Sequence, residues 1–392
     1  MSHTARVREL VRRGPVPESA FTSPLHEERI AALLGICLAI SFGTCFATGL
    51  VSHLLQHPQA WFHWPARPVD LYRITQGVHV VTGVATIPLL LAKLWTVYPK
   101  LFAWPPVRGV THAIERLSLL LLVGGSLFML WSGVLNIAYW YSPMGFFFPA
   151  AHYWVAWITI GALLVHIGAK AAITRRVVFT RTPPAFVANP ESSGLSRRGF
   201  LATVAASSGV LVTVMAGQTA RWLNPLAVLA PRRPTVGSQG LPVNRSASAA
   251  GVRSTAVSPD FRLTFDPGPG RDALSWTLDE LRAMPQHSAG LPIACVEGWS
   301  ASARWEGVQL RHLLARAGLP ARTGVRVESL ETSGNWRSSV VDPDHAADPD
   351  TLLALRLNGD ELDLDHGYPL RLIAPNRPGV LQTKWVTRVV VI

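Results

Sequence analysis

Leu291-Pro292-Ile293-Ala294-Cys295-Val296-Glu297-Gly298-Trp299-Ser300 is the stretch on which the reading of this chain turns. Its thiol, Cys295, is set apart from Cys37 and Cys45, which both lie inside an apolar run near the N-terminus. A thiol without a nearby partner is a packed side chain, a reactive nucleophile or a metal ligand. Base rate favours the packed side chain, so the sequence on either side has to decide.

Composition divides the chain before any motif does. Its 392 residues allow two domains, and it is 49% hydrophobic but only 15% charged, which is low for a soluble protein. The long apolar runs fall between residues 30 and 175, whereas 230–392 has the Pro, Arg and Asp content of a soluble domain. Much of the basic excess behind the formal net charge of +12 flanks the apolar runs. It therefore reports orientation in a membrane, and no interleaving of basic and aromatic residues points to nucleic acid.

Four runs have the roughly 20 residues needed to cross a hydrocarbon core: Ile30 to Leu54, Tyr72 to Val97, Leu117 to Trp140 and Pro149 to Ile173. A shorter fifth covers Thr203 to Thr219. Arg6, Arg8, Arg12, Arg13 and Arg29 precede the first run, Lys100, Arg108 and Arg116 follow the second, and Arg175, Arg176 and Arg181 follow the fourth. The link 55–71 has one Arg, and 141–148 has no charge. By the positive-inside rule the N-terminus is cytoplasmic, and Trp61, Trp64, Trp140, Tyr141 and Trp154 form an aromatic belt at the outer face.

Ionisable residues in membrane helices are functional candidates because their burial in lipid is costly. His53, His79, His152 and His166 are such residues. His79 and His152 both fall near the outer surface, where they could ligate one haem from its two axial sides. His166 would serve an inner haem but finds no partner, and His53 is a second candidate at the outer level. The plainer alternatives are hydrogen-bonded histidines and helices that only anchor. This half resembles the di-haem b-type cytochrome subunits that exchange electrons between quinone and extracytoplasmic enzymes. The resemblance implies haem b, one or two, and a quinone or quinol partner.

Between the halves stands Leu195-Ser196-Arg197-Arg198-Gly199-Phe200-Leu201, followed by the fifth apolar run. This is the pattern of a twin-arginine export signal; the alternative is a charge pair that stops transfer. As a signal it implies the twin-arginine translocase as partner, and it supplies the crossing that places the last domain outside. The expected organisation is a cytoplasmic tail (1–29), a cytochrome-like four-helix membrane domain (30–175), and a cytoplasmic linker with signal and fifth segment (176–223). A linker (224–240) and an oxidoreductase domain (241–392) complete it.

In the soluble half, Phe261 to Phe265 alternates like a half-buried strand, and Thr277 caps a short helix over 277–282. Val308 to Ala317 has helical spacing and stops at Gly318-Leu319-Pro320, while Val325 to Leu330 and Trp385 to Ile392 read as strands. The expected fold is an all-α membrane four-helix bundle with a fifth anchor helix, then an α+β domain of mixed sheet.

The Cys295 stretch, Trp305-Glu306-Gly307-Val308, Leu352-Leu353-Ala354-Leu355, Asn358-Gly359, His366-Gly367-Tyr368-Pro369-Leu370-Arg371 and Lys384-Trp385 occur in this order. Together with Leu241-Pro242-Val243-Asn244-Arg245 upstream, they resemble the molybdopterin-binding core of the sulfite oxidase family over 236–392. The resemblance implies Cys295 as the molybdenum ligand and catalytic centre. It implies Asn244, Arg245, His366, Arg371 and Lys384 as pterin and phosphate contacts, chemistry that suits Arg forks and a Lys point charge. Gly334-Asn335-Trp336-Arg337 stands where that family has a substrate-handling Tyr and Arg, so Arg337 is the substrate candidate and Trp336 the departure. The implied protein is a membrane-anchored oxo-transfer enzyme whose active domain lies outside the cytoplasmic membrane. Its substrate would be a sulfur or nitrogen oxide such as methionine sulfoxide, or sulfite. The alternative is a non-catalytic pterin- or partner-binding module on a haem-sensing or anchoring scaffold.

Overall fold

The computed structural model describes residues 23–101, 109–179, 195–230 and 232–392. Arg6, Arg8, Arg12, Arg13, Arg108 and Arg181, used above for orientation, lie outside the described residues. The chain forms two compact units. One contains the chain up to Ala47, Val78–Gly217 and Leu226–Leu229; the other contains Thr48–Gly77, Gln218–Pro225 and Ala230–Ile392.

Each apolar run is a helix: α1 (Glu28–Gln56), α2 (Leu71–Leu101), α3 (Val110–Ile137), α4 (Phe148–Phe179) and α5 (Arg197–Ala216). All five are long and apolar enough to cross a membrane. They run a few residues past the apolar stretches because propagating a helix adds one backbone hydrogen bond per residue fixed. Two helices also stop short: the third ends at Ile137, before Trp140, and the fifth at Ala216, before Thr219. The first unit is tied by side chains rather than by apolar contact alone, as expected where lipid gives helices no hydrophobic reason to associate. A Cβ at Gly125 of α3 would collide with Thr159 of α4, so these helices touch backbone to side chain. Lys170 reaches Glu115 at 2.5 Å, also between α4 and α3. Ser196 caps α5 by accepting from Gly199 N at 3.1 Å, and Arg197 pairs with Glu27 at 2.8 Å.

The second unit continues through α6 (Arg253–Ala256), β1 (Arg262–Asp266), β2 (Leu274–Thr277), α7 (Leu278–Ala283), β3 (Gln286–Ala294) and β4 (Ser300–Gln309). Then come α8 (Leu310–Arg316), β5 (Val325–Ser329), β6 (Ser338–Val341), α9 (Pro343–Ala347), β7 (Leu352–Leu357), β8 (Asp360–Glu361), β9 (Arg371–Ile373) and β10 (Val386–Val391). Thr277 caps α7 in a reciprocal capping box with Glu280. The helical spacing at Val308 begins two residues early, because Val308 and Gln309 still belong to β4 and pair with β7.

Two five-stranded sheets result, ordered β2-β1-β10-β5-β6 and β3-β4-β7-β8, with β9 added on β7. The first is mixed, since β1 and β10 run parallel and its other pairs antiparallel. One core gathers Leu263, Phe265, Leu281, Leu313, Leu314 and Val389, all fully buried. The second gathers Leu291, Ile293, Trp299, Trp305 and Leu352 around Cys295 itself. β3 loses its alternation toward its end, where Leu291 to Ala294 are all buried. The hairpin thus drives its turn into the interior instead of into solvent.

Candidate active site

Residues 295–299 form the turn of the β3–β4 hairpin, with Ala294 opposite Ser300. Cys295 N donates to Trp299 O at 2.9 Å, and Gly298 N to Cys295 O at 3.0 Å. Gly298 has φ +93°, a conformation glycine adopts without the steric penalty of a Cβ. Cys295 is 1% exposed. Burial and the neighbouring Glu297 carboxylate push its thiol well above the ordinary range. Burial thus favours the protonated thiol, and a bound metal cation would favour the thiolate.

Side chains from distant parts of the sequence converge on this turn. Cys295 shares one pocket with Asn244, His366, Arg371 and Lys384, floored by Trp299 and Ile293. His366 ends a 3-10 turn at Leu364–His366, and its Nε2 meets Ser238 O at 2.7 Å. Burial and the neighbouring Arg371 charge lower it to about 4, so the ring is neutral with Nε2 as donor. Arg371 opens β9, donates from Nη1 to His366 O at 3.0 Å and lies 5.2 Å over the Trp305 ring. Lys384 Nζ donates to the carbonyls of Asp365 at 2.7 Å and Arg245 at 2.9 Å. Burial brings Arg371 down to about 9, and burial with Arg371 brings Lys384 down to about 7.

This electrostatic arrangement fits a bound anion. Two desolvated cations face a pocket whose lining contains no carboxylate. Arg371 Nε and the hydroxyls of Ser238 and Ser300 are buried without a hydrogen-bond partner. Buried polar atoms left unsatisfied call for a missing partner, and a phosphorylated, heteroatom-rich pterin supplies both charge and acceptors. Among the described residues no three His, Cys, Asp or Glu gather to hold a metal ion. A metal at Cys295 therefore requires a cofactor that brings most of its own ligands.

Two of the expected contacts point elsewhere. Arg245 donates from Nε to Glu331 at 2.9 Å and contributes its carbonyl, not its guanidinium, to Lys384. Arg337 is exposed and donates to Thr332 O at 3.0 Å. Conversely, the residue reading passed over Arg232, whose Nε meets Glu297 Oε2 at 3.1 Å while Trp299 Nε1 donates to the same oxygen at 3.0 Å. Glu297 lies within the quoted motif, but no local pattern in the linker marks Arg232.

In the first unit, the rings of His79 (α2) and His152 (α4) lie edge-on with centroids 6.5 Å apart at 68°. His79 Nδ1 bonds the Cys45 carbonyl at 2.9 Å, and His152 Nδ1 lies 3.0 Å from Ser132 Oγ. With Nδ1 so engaged, Nε2 is the nitrogen suited to a metal, the usual outer-shell arrangement of ligating histidines. His166 has Lys93, Lys170 and Glu115 as its charged neighbours. His53 falls in the second unit and stacks on His57 at 4.3 Å.

Residues 251–392 match the model of the oxidoreductase molybdopterin binding domain. The chain is 31% identical to the mitochondrial sulfite oxidase of Rattus norvegicus over 160 residues, 34% of this chain and 29% of that one. It is 34% identical to the sulfite oxidase of Gallus gallus over 165 residues, 35% of this chain and 36% of that one. It is also 31% identical over 166 residues to the "Putative protein-methionine-sulfoxide reductase subunit YedZ1" of Azospira oryzae, covering 42% of this chain and 62% of that one. The chain thus spans about a third of the length of these sulfite oxidases. The buried thiol on a hairpin turn, the cationic pocket around it and these similarities agree: the C-terminal part of the chain is a molybdopterin-binding oxidoreductase domain, similar to that of sulfite oxidases.

Proposed function

We propose that the protein is a membrane-anchored molybdenum-dependent oxidoreductase that performs oxo transfer on the outer face of the cytoplasmic membrane. The observation that carries this is the pocket in which Cys295, His366, Arg371 and Lys384 meet from separate elements. Cys295 would ligate the metal. Arg371 and Lys384 would hold the anionic end of the pterin, with His366 and Asn244 as further contacts. When bound, the cofactor supplies two-electron oxygen-atom chemistry. The chain's own part is to exclude water at the buried turn, neutralise the cofactor charge and fix the thiol.

His79 and His152 would hold a haem b, and the electron partner would be membrane quinone or quinol. Two observations support this: the closeness of the two rings, and the Nδ1 bonds that orient them. The Arg197-Arg198 pair opening α5 is the proposed twin-arginine signal, with α5 retained as an anchor. The link between α1 and α2, expected outside on its charge, folds in one unit with the C-terminal domain, which supports an extracytoplasmic location for both. The substrate class is a sulfur or nitrogen oxide such as methionine sulfoxide, or sulfite. Trp336, where a substrate-handling Tyr was expected, favours oxide reduction.

Metal and haem analysis of the purified full chain tests the proposal, with about one molybdenum per chain and a b-type band in the reduced-minus-oxidised spectrum as the expected result. Cys295→Ser should lose molybdenum and keep the b-type band. A Cys295→Ser protein with full molybdenum and activity overturns the assignment. A folded wild-type chain without molybdenum supports the non-catalytic module.

A further inference from the structure

The segment that leads from α1 into the first turns of α2 makes contacts that an ordinary surface loop would not. Going along it, Trp64 Nε1 donates to Asn376 O at 3.0 Å, and Asn376 Nδ2 donates to Pro65 O at 2.6 Å. Arg67 forks onto Asp348, and Val69 packs on the apolar cluster that contains Cys295. Tyr72 N donates to Asn376 Oδ1 at 2.6 Å, Arg73 Nη1 to Ser302 Oγ at 3.2 Å, and Gln76 Nε2 to Val296 O at 3.4 Å. Tyr72 is 1% exposed and Gln76 7%.

These contacts fall on the Cys295 hairpin and on the loop beside it, except that of Arg67, whose partner Asp348 lies ahead of β7. Val296 follows Cys295 directly, and Ser302 lies just past the turn on β4. Asn376, held at φ +52°, precedes Arg377 and Pro378, and Pro378 bridges to Ala294, the residue before Cys295. Asn376 has its amide oxygen, amide nitrogen and carbonyl all engaged by the segment. Gln76 thus anchors the 295–299 turn on the Val296 carbonyl, one residue past Cys295.

We propose that residues 64–76 form an intramolecular latch on the Cys295 hairpin and the Asn376 loop, with Gln76 as a positioning residue that anchors the turn at Val296. The proposal rests on the reading of Cys295 as metal ligand, and it makes the segment that enters α2 part of the active-site framework. Because docking joins a loop to a domain encoded more than 200 residues later, it completes only when both are on the same side of the membrane.

The test uses the full chain in membranes, with Cys37 and Cys45 replaced by Ser. In an Arg73→Cys/Ser302→Cys pair, a short bis-maleimide, which spans the reach of the lost Arg side chain where a disulfide would not, should join the two positions in most molecules, detected by peptide mass mapping. With the metal removed, Gln76→Ala and the isosteric Gln76→Glu, which cannot donate as a carboxylate, should each speed maleimide labelling of Cys295 roughly tenfold, the factor that corresponds to losing one hydrogen bond. In the molybdenum-loaded protein the same two variants should shift the paramagnetic signal of the metal at unchanged metal content. Absence of the crosslink overturns the latch. Unchanged labelling and an unchanged signal in both Gln76 variants overturn the positioning role even if the crosslink forms. A wild-type chain that never takes up molybdenum overturns the metal-ligand reading instead, and crosslinking and labelling still decide the latch.

Discussion

Arg67 and Asp348 meet through two parallel hydrogen bonds, Nε to Oδ2 at 2.9 Å and Nη2 to Oδ1 at 2.8 Å, and Nη2 also reaches Asp350 at 2.5 Å. The Asp348 side chain is 7% exposed, while the Arg67 side chain is 48% exposed, so solvent screens one end of the pair only. Arg67→Ala would strand a buried carboxylate at a cost of about 1–2 kcal/mol. Amide hydrogen exchange across 64–76 should then speed up roughly tenfold, reporting local opening. Arg67→Lys keeps the charge but loses the fork and should fall between.

Arg371 is the second test. Its guanidinium lies over Trp305 and has one buried, unpartnered nitrogen. Arg371→Lys cannot present a planar fork, and molybdenum retained per chain after dialysis should fall about tenfold. The b-type spectrum should not change, because the expected haem ligands lie in the other unit.

The Ser132 hydroxyl touches His152 Nδ1 at 3.0 Å. Ser132→Ala should leave the b-type band in place and shift its midpoint potential, since the hydroxyl only orients and polarises the ring. His152→Ala should abolish the band. Loss of the band in neither His152→Ala nor His79→Ala would remove both from the haem assignment.

Acid stability gives a fourth prediction. Asp342 caps α9, accepting from Asp344 N at 3.0 Å and His345 N at 3.1 Å, and His345 Nδ1 lies 2.5 Å from its other oxygen. Burial alone would raise this carboxyl, but the His345 hydrogen bonds and charge outweigh it and hold the group at about 2. A depressed carboxyl contributes stability that is present above the unfolded value near 3.8 and lost as pH falls towards about 2. Thermal melting of the wild type should therefore fall steeply between about pH 4 and pH 2. Asp342→Asn should melt lower at neutral pH, with a flatter acid limb.

The amino-acid order alone determined much of this protein. Five apolar runs, the Thr277 capping box and the alternation through β1 are local patterns, and helix length or strand period follows from neighbours within a few residues. The ordered motifs around Cys295 likewise marked the turn, Arg371 and Lys384 before any geometry was known. Boundaries were less legible: Val308 has helical spacing but belongs to β4 because β7 pairs with it from more than 40 residues away. Only the tertiary structure directed Arg245 to Glu331 and brought Arg232 to Glu297. It also laid Trp64 on Asn376, Arg67 on Asp348 and Gln76 on the turn that holds the thiol. Such pairings join residues as much as 312 positions apart. Propensity and periodicity extend over a turn or two, whereas these contacts form only when the sheets are closed and each buried polar group must find the partner that packing leaves within reach.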